Sequence, residues 1–273
     1  MNSELRFSEV DLTEVDLGAG VFAAFTNRHG GISSTPYLSL NLGPNVNDDP
    51  AAVAVNRKLV AERVGAPIVF SSQVHGADII ELDDAAAATW LAAEPPVTAG
   101  EADALLTAST AVGLGVLVAD CVPVMLVGGI ETPEKMPTMV ATAHAGRRGV
   151  ELNVIAAIVN KMREQGATWI KAAIGPAICG DCYEVPAEMR AEVAAQELAA
   201  WSETRTGTPG LNLPAAVADQ LGRVGAEVAY QSPYCTLEHP DYFSHRAATS
   251  SPNGGSPQTT GRQAGVIRLL SHP

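Results

Sequence analysis

The chain has 273 residues, of which 47% are hydrophobic and 17% are charged, and its formal net charge is −13. This composition is typical of a folded protein and excludes a largely disordered chain. The negative charge opposes binding to nucleic-acid backbones and to acidic membrane surfaces, so we expect neither as a partner. An anionic small-molecule substrate would need a locally basic pocket.

Cysteine usage and the N-terminal segment both favour a cytoplasmic protein. Residues 1–16 carry Asp and Glu instead of a basic segment followed by an apolar core, so no secretory signal is predicted. Four cysteines are too few for a disulfide scaffold, and a cytoplasmic setting keeps them reduced. The apolar stretch 112–130 is interrupted by Asp120 and Pro123, which favours two buried strands over a membrane span.

The N-terminal half alternates predicted strands with polar loops. A strand over residues 20–26 leads into a Gly-rich loop at 26–33. Asp49-Pro50 predicts the start of a helix that ends at Gly65-Ala66-Pro67, because proline is favoured in a first turn and glycine after a last one. The remaining predictions in this half are a strand at 68–72, its continuation at 78–82, and an Ala-rich loop or short helix at 83–93.

The centre and C-terminal half are predicted to supply the core of the sheet. Four Val-rich segments have the pattern of strands buried on both faces, namely 104–108, 115–119, 122–127 and 138–143. The other predictions are helices at 147–165, 186–201 and 213–222, strands at 170–174, 227–231 and 264–270, and a flexible surface loop at 247–260. With no repeat and no linker, one domain over residues 1–273 is expected.

Three potential metal ligands follow predicted strands next to Gly or Pro. They are His75 in Gln-Val-His-Gly, Cys121 after an apolar strand, and His144 at a strand-to-helix junction. One thiolate and two imidazoles form a soft ligand set that suits zinc or copper and leaves a coordination position open. Each residue alone has an ordinary interpretation, as a loop histidine bonded to backbone or as a buried cysteine. Their joint occurrence is less easily explained by three separate structural roles, but without a compact Cys-x-x-Cys pair the spacing leaves the metal site and the ordinary interpretations as open alternatives.

A second cysteine motif is interpreted as structural or accessory. Cys179-Gly-Asp-Cys182 has the gap of a redox pair or of half a zinc knuckle. No second Cys pair exists in the sequence, and the motif follows Gly175-Pro176 in a loop. Cys235 is also interpreted as structural.

Arginines beside polar loops are candidate ligands for phosphate, because a guanidinium can hold phosphate through two hydrogen bonds. Six arginines lie in or beside such segments, namely Arg28, Arg57, Arg147, Arg148, Arg246 and Arg262. Arg28 precedes the Gly30-Gly31 turn, and Arg57 lies on the first predicted helix. A surface ion pair is the alternative for each arginine and is favoured for Arg148. The sequence contains no phosphate-binding P-loop, no dinucleotide fingerprint and no Gly-x-Ser-x-Gly elbow.

An ordered series of motifs across nearly the whole chain resembles the laccase-domain, or YfiH-type, purine nucleoside phosphorylase family. The motifs are Thr-Asn-Arg-His-Gly-Gly-Ile-Ser (26–33), Tyr-Leu-Ser-Leu-Asn-Leu-Gly (37–43), Asp-Asp-Pro (48–50), Asn-Arg (56–57), Gln-Val-His-Gly (73–76), Ala-Asp-Ala-Leu-Leu-Thr (102–107), Ala-Asp-Cys-Val-Pro-Val (119–124), His-Ala-Gly-Arg-Arg-Gly (144–149), Ile-Gly-Pro-Ala-Ile (174–178), Cys-Tyr-Glu-Val (182–185), Cys-Thr (235–236), Phe-Ser-His-Arg (243–246) and Thr-Gly-Arg (260–262).

The resemblance implies a fold, a metal and an activity. The fold would be α/β, a single-domain layered sandwich of mixed β-sheets flanked by helices, like that of YfiH. The metal would be Zn²⁺, with Cu²⁺ as the alternative, held by His75, Cys121 and His144. The activity would be phosphorolysis of adenosine, inosine, guanosine or methylthioadenosine, with adenosine deamination as a second activity.

Site roles follow from this resemblance and from the arginine argument. Cys121, His144 and Asp120 are the expected catalytic residues, and the expected substrate-binding residues are Arg28, Asn41, Arg57 and Gln73. The expected partners are a purine nucleoside and phosphate. The sequence does not determine the preferred purine or the oligomeric state.

The chain departs from the family at two places. The family's usual His-Ala-Gly-Trp-Arg-Gly reads His-Ala-Gly-Arg-Arg-Gly here, so Arg147 replaces an aromatic residue, and this questions purine stacking at that position. The loop at 247–260 also looks longer than usual.

Other functions remain open at this stage. A cysteine hydrolase would use Cys121 as nucleophile and His144 as base, and some members of the family look like peptidoglycan editing factors. A copper polyphenol oxidase, or laccase, is another alternative, although six histidines are few for several copper centres. The last alternative is a metal-binding module without catalytic activity.

Overall fold

The computed structural model describes residues 10–93, 98–131, 136–250 and 259–271. Within these ranges the chain forms two mixed sheets, one short hairpin and seven helices. The strands are β1 (Leu12–Glu14), β2 (Val21–Thr26), β3 (Ile68–Val69), β4 (Ile79–Leu82), β5 (Ala104–Thr107), β6 (Gly113–Val118), β7 (Val122–Gly129), β8 (Pro137–Ala145), β9 (Trp169–Ile174), β10 (Trp201–Glu203), β11 (Pro209–Leu211), β12 (Glu227–Gln231) and β13 (Gln263–Leu269). The helices are α1 (Pro50–Val64), α2 (Asp84–Leu91), α3 (Arg147–Glu151), α4 (Val154–Glu164), α5 (Ala187–Gln196), α6 (Leu213–Arg223) and α7 (His245–Thr249).

The two sheets differ in size, and each contains both parallel and antiparallel strand pairs. The larger sheet has the order β12-β9-β7-β8-β5-β4, and the smaller sheet has the order β1-β2-β13-β6-β3. Parallel pairing joins β12 to β9 and β4 to β5 in the larger sheet and β3 to β6 in the smaller one. The other pairs are antiparallel. Strands β10 and β11 form the separate antiparallel hairpin.

The sheets pack face to face with helices outside them. Phe25 and Leu114 of the smaller sheet share one buried cluster with Leu105 and Met125 of the larger sheet. Side chains alternate along a strand, so the other face of the larger sheet packs against α3, α4 and α6. The outer face of the smaller sheet packs against α1. These layers confirm the expected α/β sandwich of mixed sheets flanked by helices.

Helix α1 shows how local sequence sets an element's ends. Asp49 accepts a hydrogen bond from the amide of Ala51, Pro50 occupies the first turn, and Gly65 ends the helix with φ +78°. Both predicted ends are confirmed because they depend on these local signals.

Two sheet predictions are wrong. Strand β4 does not continue β3, because β3 pairs in the smaller sheet and β4 in the larger one. The four Val-rich segments do not form a single sheet either, since β6 belongs to the smaller sheet. A buried apolar run indicates a strand without specifying its partner.

Helix predictions also need correction. The predicted helix at 147–165 is broken into α3 and α4, because Asn153 adopts φ +57° and caps α4 through the amide of Ala156. The helix predicted to reach Trp201 ends at Gln196 in α5, and Trp201 lies in β10. The Ala-rich segment forms α2.

Some short strands and one loop were predicted incompletely or were not predicted from the sequence. Strand β1 and the β10–β11 hairpin were not predicted. The predicted loop at 247–260 begins in α7, and its part at 251–258 lies outside the described residues. No helix in the described ranges combines the length and the apolar character that crossing a membrane requires.

Close packing between the sheets predicts a cost for a single added methyl group. A Cβ at Gly175 would lie 2.2 Å from Cε1 of the buried Phe25 ring. Gly175→Ala is therefore expected to lower the free energy of unfolding by about 1–3 kcal/mol, measured by urea denaturation. The control is Gly222→Ala on α6, where a Cβ meets nothing within 4 Å, and it should leave stability equal or higher by up to about 1 kcal/mol. Equal midpoints for both variants would contradict this packing.

Candidate metal centre

The three predicted ligands converge on one point. One ligand atom each from His75, Cys121 and His144 lies within 4.8 Å of the others. Nε2 of His75 is 3.9 Å from Sγ of Cys121, and the two imidazole rings meet edge to face with centroids 4.7 Å apart. His75 lies in the loop between β3 and β4, Cys121 between β6 and β7, and His144 near the end of β8.

Strand register explains how distant residues meet. Strands β7 and β8 are antiparallel with Pro123 opposite His144, so the residue before β7 lies beside the end of β8. Gly146 leaves room for the cluster, since a Cβ there would lie 2.8 Å from Cδ2 of His75 and 3.0 Å from Sγ of Cys121. The glycine of the His-Ala-Gly motif is therefore required by close approach.

A buried carboxylate, Asp103, holds both histidines. Its Oδ1 lies 2.7 Å from Nδ1 of His144 and accepts the amide of His75 at 3.0 Å. Its Oδ2 accepts the amides of Val74 at 3.1 Å and Gly76 at 2.6 Å. Burial opposes ionisation of this carboxyl group, but the bonds from His144 and the amides outweigh it and lower the pKa of Asp103. The arrangement leaves Nε2 of His144 to face Cys121, as in carboxylate–histidine–metal groups.

The electrostatics favour ionised ligands. Burial of Cys121 opposes ionisation, but the charge and hydrogen bonds of His144 and His75 outweigh it and lower the pKa of the thiol to about 6. Burial lowers the affinity of His144 for a proton, but Cys121 and Asp103 outweigh it and raise its pKa to about 9. At neutral pH the metal-free cluster therefore holds a thiolate paired with a protonated His144. The thiolate is the form that binds metals, whereas His144 must release its proton when it becomes a ligand.

Two cavities meet at this cluster. The first, of about 370 Å³, is lined by residues that include Gln73, His144 and Arg262. The second, of about 300 Å³, includes Arg147, Arg148, Tyr183 and Arg246. The residues that line both are His75, Ala119, Cys121 and His245.

Asp120 lies at the second cavity and is fully engaged with protein. Its Oδ1 accepts the hydroxyl of Thr236 at 2.6 Å, and its Oδ2 accepts the amide of Arg246 at 2.6 Å. The residue adopts φ +89°, an uncommon backbone conformation for a residue other than glycine. This geometry is that of a positioning residue, and the predicted catalytic role of Asp120 remains a prediction.

Gln73 and Asn41 support the site through backbone contacts. The side-chain Nε2 of Gln73 donates a hydrogen bond to the carbonyl oxygen of Leu117 at 2.7 Å. The side-chain Oε1 of Gln73 accepts one from the backbone N–H of Leu117 at 2.8 Å. Asn41 is buried and accepts the amides of Gly43 and Arg262, both at 2.9 Å. Gln73 lines the first cavity, whereas Asn41 lies behind its wall.

The structure does not bring Arg28 and Arg57 to the described lining of either cavity. Arg28 donates to the carbonyl of Leu38 at 2.8 Å and lies over the ring of Phe243. Arg57 donates to the carbonyl of Leu42 and lies over the ring of Phe70, and burial lowers its pKa to about 10. Carbonyl groups and aromatic faces thus hold the two guanidinium groups predicted to bind phosphate.

Sequence reasoning assigned no role to Asp103, whereas it counted the cavity arginines among the candidate anion ligands beside polar loops without selecting them as substrate-binding residues. Asp103 stood in a quoted motif, and its signal was an acidic residue directly before a buried strand. Arg262 stood in Thr-Gly-Arg and lines the first cavity beside Cys121. Arg246 stood in Phe-Ser-His-Arg and lies over the ring of Tyr183. Their convergence depends on tertiary structure.

Comparison with known proteins identifies similar chains. A purine nucleoside phosphorylase of Streptomyces coelicolor is 46% identical over 255 residues, covering 92% of this chain and 96% of that protein. A purine nucleoside phosphorylase of Corynebacterium glutamicum is 38% identical over 250 residues, covering 90% and 93%. The crystal structure of the hypothetical protein YfiH of Bacillus licheniformis superposes with a TM-score of 0.81 at 29% identity, covering 96% and 97%.

The sequence profile of one family matches most of the chain. The match spans residues 22–270, which include the three converging ligands and both arginine-bearing motifs of the C-terminal region. The chain therefore belongs to the laccase-like family described as multi-copper polyphenol oxidoreductase laccase.

Proposed function

We propose that this protein is a zinc-dependent purine nucleoside phosphorylase. It would cleave adenosine, inosine, guanosine or methylthioadenosine with phosphate. The observation that carries the proposal is that two cavities, one rich in arginine, meet at His75 and Cys121. A reaction between a nucleoside and phosphate needs two adjoining subsites, and the names of the relatives support this enzyme class.

The second cavity is the proposed phosphate subsite. It is lined by Arg147, Arg148 and Arg246 in a chain whose net charge is −13. Arg147 also pairs with Glu151 at 2.8 Å, and Arg246 also donates to the carbonyl of Glu184 at 2.8 Å, so each has further guanidinium N–H groups to offer phosphate. Arginine binds phosphate oxygens through paired charge-assisted hydrogen bonds. Because Arg147 replaces the family's aromatic residue, this cavity suits an anion better than a stacked purine. The first cavity, at about 370 Å³, is then the nucleoside subsite.

The proposed reaction breaks one bond and forms another at the ribose. A phosphate oxygen bonds to C1′ while the bond from C1′ to N9 of the purine breaks. The electron pair of that bond leaves with the purine, which takes up a proton. The sugar product is ribose 1-phosphate, or 5-methylthioribose 1-phosphate when methylthioadenosine is the substrate. The arginines would orient phosphate in line with the departing base.

The ligand set fits a zinc ion. Two imidazoles and a thiolate are common zinc ligands, and Asp103 supplies the outer carboxylate that orients His144. When bound, the ion would supply Lewis-acid stabilisation of negative charge. Copper also accepts these donors, but the other potential metal group in the described ranges contains no imidazole, so multicopper oxidation has little support there.

Adenosine deamination is the second proposed activity. Here water adds to C6 of the purine and ammonia leaves, so that adenosine becomes inosine. The nucleoside would occupy the same cavity without phosphate. The proposed partners are accordingly small molecules only, in the cytoplasm, with neither nucleic acid nor membrane as a partner.

One observation favours a rival function. The lowered pKa of Cys121 and the Asp103–His144–Cys121 order also match a cysteine hydrolase with a nucleophile, a base and an orienting carboxylate. Peptidoglycan editing would belong to this alternative. A hydrolase would form an acyl-enzyme at Cys121 and would keep its activity in the presence of a chelator.

Removal of the thiolate tests the metal centre. Cys121→Ala is expected to lose the zinc bound at this site and at least about 100-fold in phosphate-dependent release of adenine from adenosine, because one of three protein ligands is gone. Elemental analysis and product chromatography with and without phosphate measure both effects. Thr89→Ala, an exposed residue on α2 outside both cavities, serves as the control for adenine release.

Three outcomes would contradict the proposal. A Cys121→Ala protein with full zinc and full turnover would exclude the site. Chelator-resistant turnover with a trapped acyl group on Cys121 would favour the hydrolase. If purified zinc-loaded protein releases no base from any of the four nucleosides, a metal-binding module without catalysis is the function that remains.

Neutralising the buried carboxylate tests the support of the histidines. Asp103→Asn is expected to lower the zinc affinity of this centre by about 10- to 100-fold, because His144 loses its charged partner. Chelator competition measures the affinity. Glu81→Gln is the control, since Glu81 is exposed and pairs with Lys161 at the surface. Unchanged affinity in Asp103→Asn would show that the carboxylate does not tune the ligand.

Removal of one cation tests the phosphate subsite. Arg148→Gln, at an exposed lining residue, is expected to raise the KM for phosphate by about 10- to 100-fold while the KM for adenosine stays the same. Steady-state kinetics with each substrate varied in turn separate the two constants. Arg63→Gln on α1, which removes a surface ion pair with Glu14, should change neither. An increase in the adenosine KM alone would reverse the assignment of the two cavities.

A further inference from the structure

A second group of potential metal ligands lies outside the proposed catalytic centre. Cys179, Cys182, Cys235 and Glu238 each offer one ligand atom, and these atoms all lie within 4.8 Å of one another. The sequence showed one pair with a two-residue gap, and the structure adds a second such pair, Cys235-Thr-Leu-Glu238. Two turns that each present two ligands are the usual construction of a four-ligand zinc site.

Backbone contacts bring the two pairs together. Ala177 and Cys235 form a parallel bridge between the segment after β9 and the segment after β12. The amide of Thr236 donates to the carbonyl of Ala177 at 3.0 Å. The amide of Cys179 donates to Sγ of Cys235 at 3.3 Å. The sulfur thus accepts a backbone hydrogen bond, a contact that orients a ligating atom.

Each pair is folded into a turn. The amides of Cys182 and Tyr183 both donate to the carbonyl of Cys179, at 3.1 and 3.0 Å. The amides of Glu238 and His239 both donate to the carbonyl of Cys235, at 3.2 and 2.9 Å. The two turns direct their first and last side chains toward the same point.

The thiols are free, and their number favours a cation over a disulfide. Cys179, Cys182 and Cys235 carry no disulfide bond in the structure. One disulfide would use two of the three and leave a third thiol partly buried beside it.

The carboxylate is already oriented. Oε2 of Glu238 accepts a hydrogen bond from Nη2 of Arg205 at 3.0 Å, and Arg205 also lies near Asp181 within the first turn. Glu238 is exposed, whereas Cys235 is buried and the other two cysteines are half-buried. An outer cation that holds a ligating carboxylate is a common feature of metal sites.

We propose that Cys179, Cys182, Cys235 and Glu238 bind one structural zinc ion with a closed set of four ligands. The ion would fasten the turn at 179–182 to the turn at 235–238. Tyr183 and Thr236 directly follow ligands of this site. Tyr183 lines the second cavity, and Thr236 binds Asp120, so the ion would stabilise one wall of the cavity.

The test measures zinc in a protein that lacks the first centre. The full-length His75→Ala, Cys121→Ser protein, purified from zinc-containing medium, is expected to hold about one zinc ion per chain. Adding Cys235→Ser should reduce this to below about one tenth of an ion, because a ligand is lost. Adding Glu188→Gln, an exposed acidic residue on α5, is the control and should leave the zinc content unchanged.

Cobalt supplies a second readout. Replacement of zinc by Co²⁺ in the same parent protein should give thiolate-to-metal absorption and a tetrahedral spectrum. Cys182→Ser should lower the intensity of the thiolate bands, because one of three sulfur ligands is gone. If the double variant does not fold, the same comparison is made in the otherwise unaltered chain, where Cys235→Ser should remove one ion. This difference does not depend on phosphorylase activity, so failure of the proposed function leaves it unchanged.

Two results would overturn the proposal. One is equal zinc content with and without Cys235→Ser. The other is a disulfide between Cys179 and Cys182, found by mass spectrometry in protein purified without reductant, together with no zinc beyond the first centre.

Discussion

The carboxylate of Asp103 is the contact on which the candidate site depends. It is buried at the start of β5, where it accepts the three amides of residues 74–76 and binds Nδ1 of His144. The loop that carries His75 and the strand that carries His144 are therefore fixed by one side chain. A neutral or shorter residue would leave part-buried backbone N–H groups and the buried His144 ring without their charged acceptor, which is costly where water has little access. One interaction thus sets the separation of the two imidazoles.

Asp120 fixes the other side of Cys121 in a similar way. Its two oxygens hold Thr236 and the amide of Arg246, so segments more than 110 residues away in sequence are held beside the thiol. Thr236 follows Cys235 of the second thiol group. The proposed structural zinc, the wall of the arginine-rich cavity and Cys121 are consequently joined through consecutive contacts. A carboxylate on each side of the cysteine gives this site its shape, and both were present in the quoted sequence motifs.

Sequence predicted the ligands better than it predicted their surroundings. The convergence of His75, Cys121 and His144 was predictable because soft donors at strand ends suit a metal and the family resemblance selected that interpretation. The ends of α1 were predictable because its caps are local. The sheet to which β6 belongs was not predictable, since an apolar run does not specify its partner. Arg28 and Arg57 were expected to bind phosphate, yet each bonds a main-chain carbonyl and covers an aromatic ring. Only tertiary structure distinguishes such an arginine from one that lines a cavity.

The replacement at Arg147 bears on how the two cavities divide the substrates. A chain with a net charge of −13 repels phosphate at long range, so phosphate binding requires cations gathered at close range. The second cavity gathers three arginines, and the first has Arg262 beside Cys121. An aromatic residue at 147 would have offered a stacking surface in the second cavity, whereas a guanidinium adds a phosphate ligand. Under the proposed function, the substitution would strengthen anion binding on that side of the cluster and would place the purine on the side where Gly43, Gln73 and His144 form the wall.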